Sequence, residues 1–195
     1  MTKPLASLSM DLDNLWSYQK TQGDPDWATF GSYLNTVVPR ILEALDARDL
    51  KITVFVVGQD AALPKNGRAL RSIVQAGHDI GNHSFRHESS LHLFSPVQVI
   101  DEIARAEEAI LTATGVRPTG FRGPGYSLTE TVLNVLASRN YAYDCSTFPT
   151  YVGPLARAYY FFDSTLTQDE RENRAALFGQ MRDGLRPLKP YRWGL

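Results

Sequence analysis

A chain of 195 residues suits one domain with a single core, and its 43% hydrophobic content is ordinary for a globular fold. Acidic and basic residues nearly cancel, to a formal charge of −1, which leaves no strong field for nucleic acid or an anionic membrane and points to a small, largely uncharged partner. The single cysteine, Cys145, excludes an internal disulfide and the paired-cysteine zinc frameworks, so any metal must rest on His, Asp or Glu.

The N-terminus lacks the continuous apolar core of a signal peptide, and Leu5 to Asp11 reads instead as a first strand with Asp11 and Asp13 at its end. Leu34, Val37, Val38, Ile41, Leu42 and Leu45 recur at helical spacing, with Pro39 inside the run as a kink or a start. Ile52 to Val57 is rich in β-branched residues and stops at Gly58, which predicts a buried strand. It falls well short of the roughly 20 apolar residues that cross a bilayer, as does every other stretch, so a soluble cytoplasmic protein is expected.

A helix is predicted over Gly67 to Gln75, and a short strand around Ile80 leads into Asn82-His-Ser-Phe-Arg-His87. Ser95-Pro96-Val97-Gln98 combines a cap, a proline at the first helical position and a capping-box partner, and Val99 to Leu111 continues at helical period. Gly120 to Arg122 is a short extended piece, Ser127-Leu-Thr-Glu130 reads as a second capping box opening a helix to about Asn140, and Tyr141 to Asp144 resembles one more strand. This alternation predicts an α/β fold with parallel strands joined by right-handed crossovers, either a barrel or an open doubly wound sheet. After Thr150 come an aromatic stretch, Ala158 to Phe162, a charged segment from Gln168 to Met181 with helical character, and a tail from Leu185 without a clear element.

His83 and His87 lie four apart, which sets both imidazoles on one side of a helical turn or tight loop, where they can share a cation. The competing reading is a surface turn with hydrogen-bonded histidines. Gly77, Gly81 and Asn82 offer a flexible polar approach, and Asp11 or Asp13 at another strand end can complete a two-histidine, one-carboxylate site. Asp11-Leu-Asp13-Asn14 also resembles the first motif of haloacid-dehalogenase-like phosphatases, which would make Asp11 a nucleophile, magnesium the cation and the histidine pair idle. Arg122 in Phe-Arg-Gly-Pro-Gly-Tyr126 can hold a carboxylate, and its glycines let the backbone pass close to a substrate. Asp144 ends a strand, where a cap or turn role is the commoner one. His78 and His92 do not share the pair's spacing and are assigned structural or surface roles.

In this order the pieces resemble the polysaccharide deacetylase family, the NodB-homology or carbohydrate esterase family 4 group, over about residues 5–144. The motif-bearing stretches are Gly77 to His87, which follows the family's His-Ser/Thr-x-x-His pattern, and Arg122 to Tyr126, which resembles its arginine-proline-tyrosine motif. The resemblance implies an irregular (β/α) barrel forming a single domain, and a divalent metal, most often zinc with cobalt, manganese or nickel as alternatives. It implies hydrolysis of the N-acetyl group of a sugar, while the expected lack of export makes a cytoplasmic precursor, a formylated amino sugar or a small cyclic amide alternative substrates. The family carries adjacent aspartates where this chain has a leucine between them; carried over, Asp11 is the base and Asp13 joins His83 and His87 as metal ligand. Arg122 then orients Asp11, the backbone at Gly125 and Tyr126 meets substrate and oxyanion, and Asp144 supports the site. The family's final strand supplies a histidine that protonates the leaving amine, yet no histidine follows His92. The resemblance therefore implies a barrel lacking its last strand or strands, and either an active hydrolase or a metal- and sugar-binding remnant. Oligomeric state is left open.

Overall fold

The computed structural model describes residues 6–147, 149, 159, 167–173, 185–187 and 189–194. Strands β1 (Ser9–Leu12), β2 (Thr53–Val56), β3 (Asp79–Asn82), β4 (Gly120–Phe121) and β5 (Tyr143–Asp144) form one parallel sheet in the order of the chain. Helices α1 (Leu15–Gln22), α2 (Leu34–Asp46), α3 (Gly58–Ala61), α4 (Gly67–Gln75), α5 (Pro96–Thr114) and α6 (Glu130–Ser138) connect them, and α7 (Gln168–Asn173) falls within the charged segment expected to be helical. The aromatic stretch from Ala158 to Phe162 lies outside the described residues except for exposed Tyr159. Unreversed strand order resolves the choice between a barrel-type winding and a doubly wound sheet. A doubly wound sheet reverses direction at a switch point, whereas right-handed crossovers that always step the same way leave every helix on one face. Accordingly α2, α4, α5 and α6 pack neighbour to neighbour in sequence order.

The two-residue period of each strand separates core from chemistry. Leu12, Val54, Val56 and Ile80 point to the helices and join Leu34, Val38, Leu70, Ile73 and Ile110 in one buried cluster. Phe121 enters a second cluster with Val99, Ile103, Val132 and Leu136. The alternate residues face the other way, and they include Ser9, Asp11, Phe55 and Gly81. Register aligns Asp11 with Phe55 and Phe55 with Gly81, so the ring of Phe55 lies across the bare backbone of Gly81, where an added Cβ would sit 2.3 Å from it.

Sequence and structure part at several boundaries. Of the expected first strand, Leu5 lies outside the described residues, and the described strand runs from Ser9 to Leu12, starting where β2 begins opposite Ser9. Pro39 sits inside α2 rather than at its start. The Ser95–Gln98 capping box forms as expected, with the Ser95 N–H bound to Gln98 Oε1 at 2.9 Å. The second box does not: Thr129 caps α6 by accepting from the Val132 N–H, and Ser127 Oγ is buried without a partner. Gly81 and Asn82 are buried strand residues rather than a flexible approach. Helix α1 was not anticipated, since only Trp16 and Ser17 along it are buried and no apolar stripe marks it. Among the described residues, no helix is long and apolar enough to cross a membrane.

Candidate active site

The C-terminal ends of parallel strands collect side chains from distant parts of a chain, and here they gather the predicted residues. Asp13 follows β1, His83 follows β3, and His87 comes four residues later; one ligand atom from each lies within 4.8 Å of the others. His83 Nε2 is 3.7 Å and His87 Nε2 3.4 Å from Asp13 Oδ1. That oxygen is buried yet receives no hydrogen bond, which leaves its lone pairs free toward the two imidazoles. His83 Nδ1 lies 2.6 Å from the Arg122 carbonyl oxygen. A carbonyl only accepts, so the proton sits on Nδ1 and the Nε2 lone pair faces Asp13.

Electrostatics support the same division. Burial pushes the Asp13 carboxyl up, but the charge of His87 and His83 beside it holds it below its ordinary value. Burial holds His83 below its ordinary value, against the pull of Asp13. An anionic carboxylate beside a neutral imidazole is the protonation state that metal ligation needs. The donor chemistry, the unpartnered Oδ1 and the fixed His83 tautomer therefore fit a divalent cation.

Asp11 lies on the same face as Asp13, with buried Leu12 between them pointing into the core. Its Oδ2 is 4.0 Å from His83 Nε2, while its Oδ1 accepts from Arg122 Nη1 at 2.8 Å. Arg122 is itself fixed by Ser9 Oγ at 2.7 Å through Nη2 and by the Cys145 carbonyl through Nε, and its guanidinium stacks 4.3 Å above Phe55. Asp144 does not reach this centre directly. Its carboxylate accepts from Ser146 Oγ at 2.5 Å and from the Ser146 N–H, and Ser146 Oγ in turn accepts from the Gly123 N–H, which ties down the loop after Arg122. Burial pushes the Asp144 carboxyl up to about 6. Gly125 and Tyr126 both hold left-handed backbone, and the Tyr126 N–H, expected to meet an oxyanion, donates to the Gly123 carbonyl at 2.9 Å. His78 belongs elsewhere, its Nδ1 accepting from the Ile52 N–H.

Several contributors escaped sequence reasoning. Asn14 and Trp16 both donate to Asp60 Oδ1, at 2.6 and 3.0 Å, and the Trp16 ring meets His87 edge-on at 6.5 Å. Tyr33 donates its hydroxyl to the Asp13 carbonyl at 2.5 Å. Glu102, fully buried on α5, accepts from the N–H groups of Phe85 and Arg86. Glu102 alone left a signal, as a charge within the Val99, Ile103 and Ala106 stripe; Asp60 sits in a short helix with no periodicity to read.

Residues 19–143 match the family model described as polysaccharide deacetylase, a span that holds His83, His87 and Arg122 but not Asp11, Asp13 or Asp144. The chain is 26% identical over 146 residues to the peptidoglycan deacetylase of Helicobacter pylori, covering 73% of this chain and 49% of that protein. It resembles a crystal structure from Mycobacterium smegmatis assigned to the polysaccharide deacetylases, at 31% identity and a TM-score of 0.62, covering 71% of this chain and 49% of that one. A carbohydrate esterase family 4 pseudoenzyme from Bacillus anthracis, at 23% identity and a TM-score of 0.55, shares the fold, over 71% of this chain and 41% of that one. The chain thus spans about half the length, or less, of these relatives.

Proposed function

The chain belongs to the polysaccharide deacetylase family, and from that premise we propose that it is a metal-dependent hydrolase that removes an N-acetyl or N-formyl group from an amino sugar or related small amide. Asp13, His83 and His87 would hold the metal, with zinc the expected ion for two imidazoles and a carboxylate. When bound, such a cation would polarise the acyl carbonyl and lower the pKa of water to roughly 7. Family membership speaks against the phosphatase alternative, and the approach of both imidazoles to Asp13 supports a task for the histidine pair.

Asp11 is the proposed base. Arg122 engages Oδ1, so Oδ2 remains turned toward His83, where it can take a proton from the attacking water. As the C–N bond breaks, the same carboxyl can return that proton to the leaving nitrogen, which closes the proton count with this chain's own residues. Arg122 acts as the positioning residue for Asp11, and the Asp144–Ser146–Gly123 connection holds the loop on which Gly125 and Tyr126 approach the substrate. The observation that carries the proposal is the Asp11–Arg122 pair set 4.0 Å from the metal-ligand histidine.

A second reading, binding without turnover, draws on the Tyr126 N–H already given to Gly123. Acetate release from N-acetylglucosamine oligomers by zinc- or cobalt-loaded protein separates the two. The hydrolase reading expects release by wild type and a loss of about 10²- to 10⁴-fold in Asp11→Asn, the usual contribution of a general base. Equal release from both overturns the role of Asp11, and metal binding without any release establishes the second reading.

A further inference from the structure

His83 and His87 can share a cation only if the three residues between them hold a particular shape, and that shape is an unfavourable one. Ser84 and His87 both have left-handed backbone, at φ +60° and +53°, a region non-glycine residues seldom occupy. Such conformations persist only where the surroundings over-determine them. The backbone N–H groups of Ser84, Phe85 and Arg86 are all met, whereas Ser84 Oγ is buried without a partner. The Ser84 N–H donates to Asn82 Oδ1 at 2.8 Å, and the Ser84 and Phe85 carbonyls accept from the N–H groups of Gly58 and Gln59 at 2.9 Å. The remaining donors, the N–H groups of Phe85 and Arg86, converge on one oxygen, Glu102 Oε2, at 3.0 and 2.8 Å. Its other oxygen is paired with the Arg86 guanidinium, and Arg105 from the same helix stacks 4.0 Å over the Phe85 ring.

We propose that Glu102 is a positioning residue for the metal centre: its buried carboxylate holds the His83–His87 connection in ligand-ready shape before any cation arrives. The inference rests on the reading of Asp13, His83 and His87 as metal ligands. A carboxylate suits the task because a charged acceptor makes hydrogen bonds roughly twice as strong as a neutral one and can serve two adjacent N–H groups at once. Glutamine at 102 would keep an acceptor for those amides but set an NH2 group against the Arg86 guanidinium, so the two requirements conflict.

Zinc affinity, measured by competition with a chromophoric chelator, tests this in Glu102→Gln against Glu107→Gln. Glu107 lies on the same helix and pairs with Arg117 and Arg139 away from the centre, so its replacement controls for a merely structural effect. Glu102→Gln is expected to bind zinc about 10- to 100-fold more weakly, the usual cost of losing an outer-shell partner, and to change the visible spectrum of the cobalt-loaded protein. Glu107→Gln should lower thermal stability with wild-type affinity and spectrum. Zinc binding to wild type with unchanged affinity in Glu102→Gln overturns this proposal alone; a wild type that binds no zinc overturns the metal reading with it. Should Glu102→Gln fail to fold, amide exchange in metal-free wild type decides. Phe85 and Arg86 amides protected together with those of β2 support the proposal, and amides that exchange like a loop until zinc is added contradict it.

Discussion

Asp144 shows how a single carboxyl can shape the behaviour of the whole chain with pH. Its ordinary value is 3.8 and burial in the fold pushes it up to about 6. Between those values the native chain retains a proton that the unfolded chain has released, so stability from this group is complete below about pH 4 and is lost as pH rises through 6. Asp144→Asn removes that titration. Urea midpoints at pH 4 and pH 7 should therefore lie closer together in the variant than in wild type, and an unchanged gap would remove Asp144 as the cause. The His83–His87 spacing marked both residues as members of one local turn, but it fitted a surface turn as well as a shared cation. Asp13 could be chosen over Asp11 as ligand only through resemblance, because the two share one strand face. The Asp60 contacts to Asn14 and Trp16 could not be read at all, as they join residues more than 40 positions apart.

Helices were more legible than strands because their information is internal. Apolar periodicity located α2, and the capping chemistry of Ser95 located α5, each close to its observed bounds. Strand ends, by contrast, are decided by the partner strand, and β4 and β5 are only two residues each. The N-terminus of α6 illustrates the same limit: Ser127 and Thr129 are both good caps by type, and only the backbone turn at Pro124–Tyr126 decides between them. Thr129→Ala and Ser95→Ala should each cost about 1 kcal/mol in chemical denaturation, the typical value of a lost cap. Ser127→Ala should be near neutral, since its hydroxyl is buried without a partner and alanine relieves that group of its desolvation.

At the scale of the molecule, one sheet divides labour between its faces. The helix side carries the apolar clusters, and the opposite side carries Ser9, Asp11 and Phe55, with the proposed metal ligands at the strand ends. Strand alternation along the chain implied parallel pairing, but the consecutive strand order depends on which way each crossover steps, and no local pattern encodes that. Because the proposed ligands come from the ends of β1 and β3, binding a cation should stabilise the fold as a unit. At a hundred times the dissociation constant, linkage gives about 2.7 kcal/mol, which for a chain of this size corresponds to roughly 5 to 10 °C in Tm. A Tm unmoved by zinc would mean that the cation does not bind the folded state in preference to the unfolded one.

The metal centre carries most of the functional reading, and zinc stoichiometry tests it most directly. Equilibrium titration of metal-free protein should saturate at about one zinc per chain in wild type, with that binding abolished in Asp13→Ala. Substoichiometric binding in wild type, or an Asp13→Ala variant that still takes up a full equivalent with unchanged affinity, would contradict the assignment of Asp13, His83 and His87.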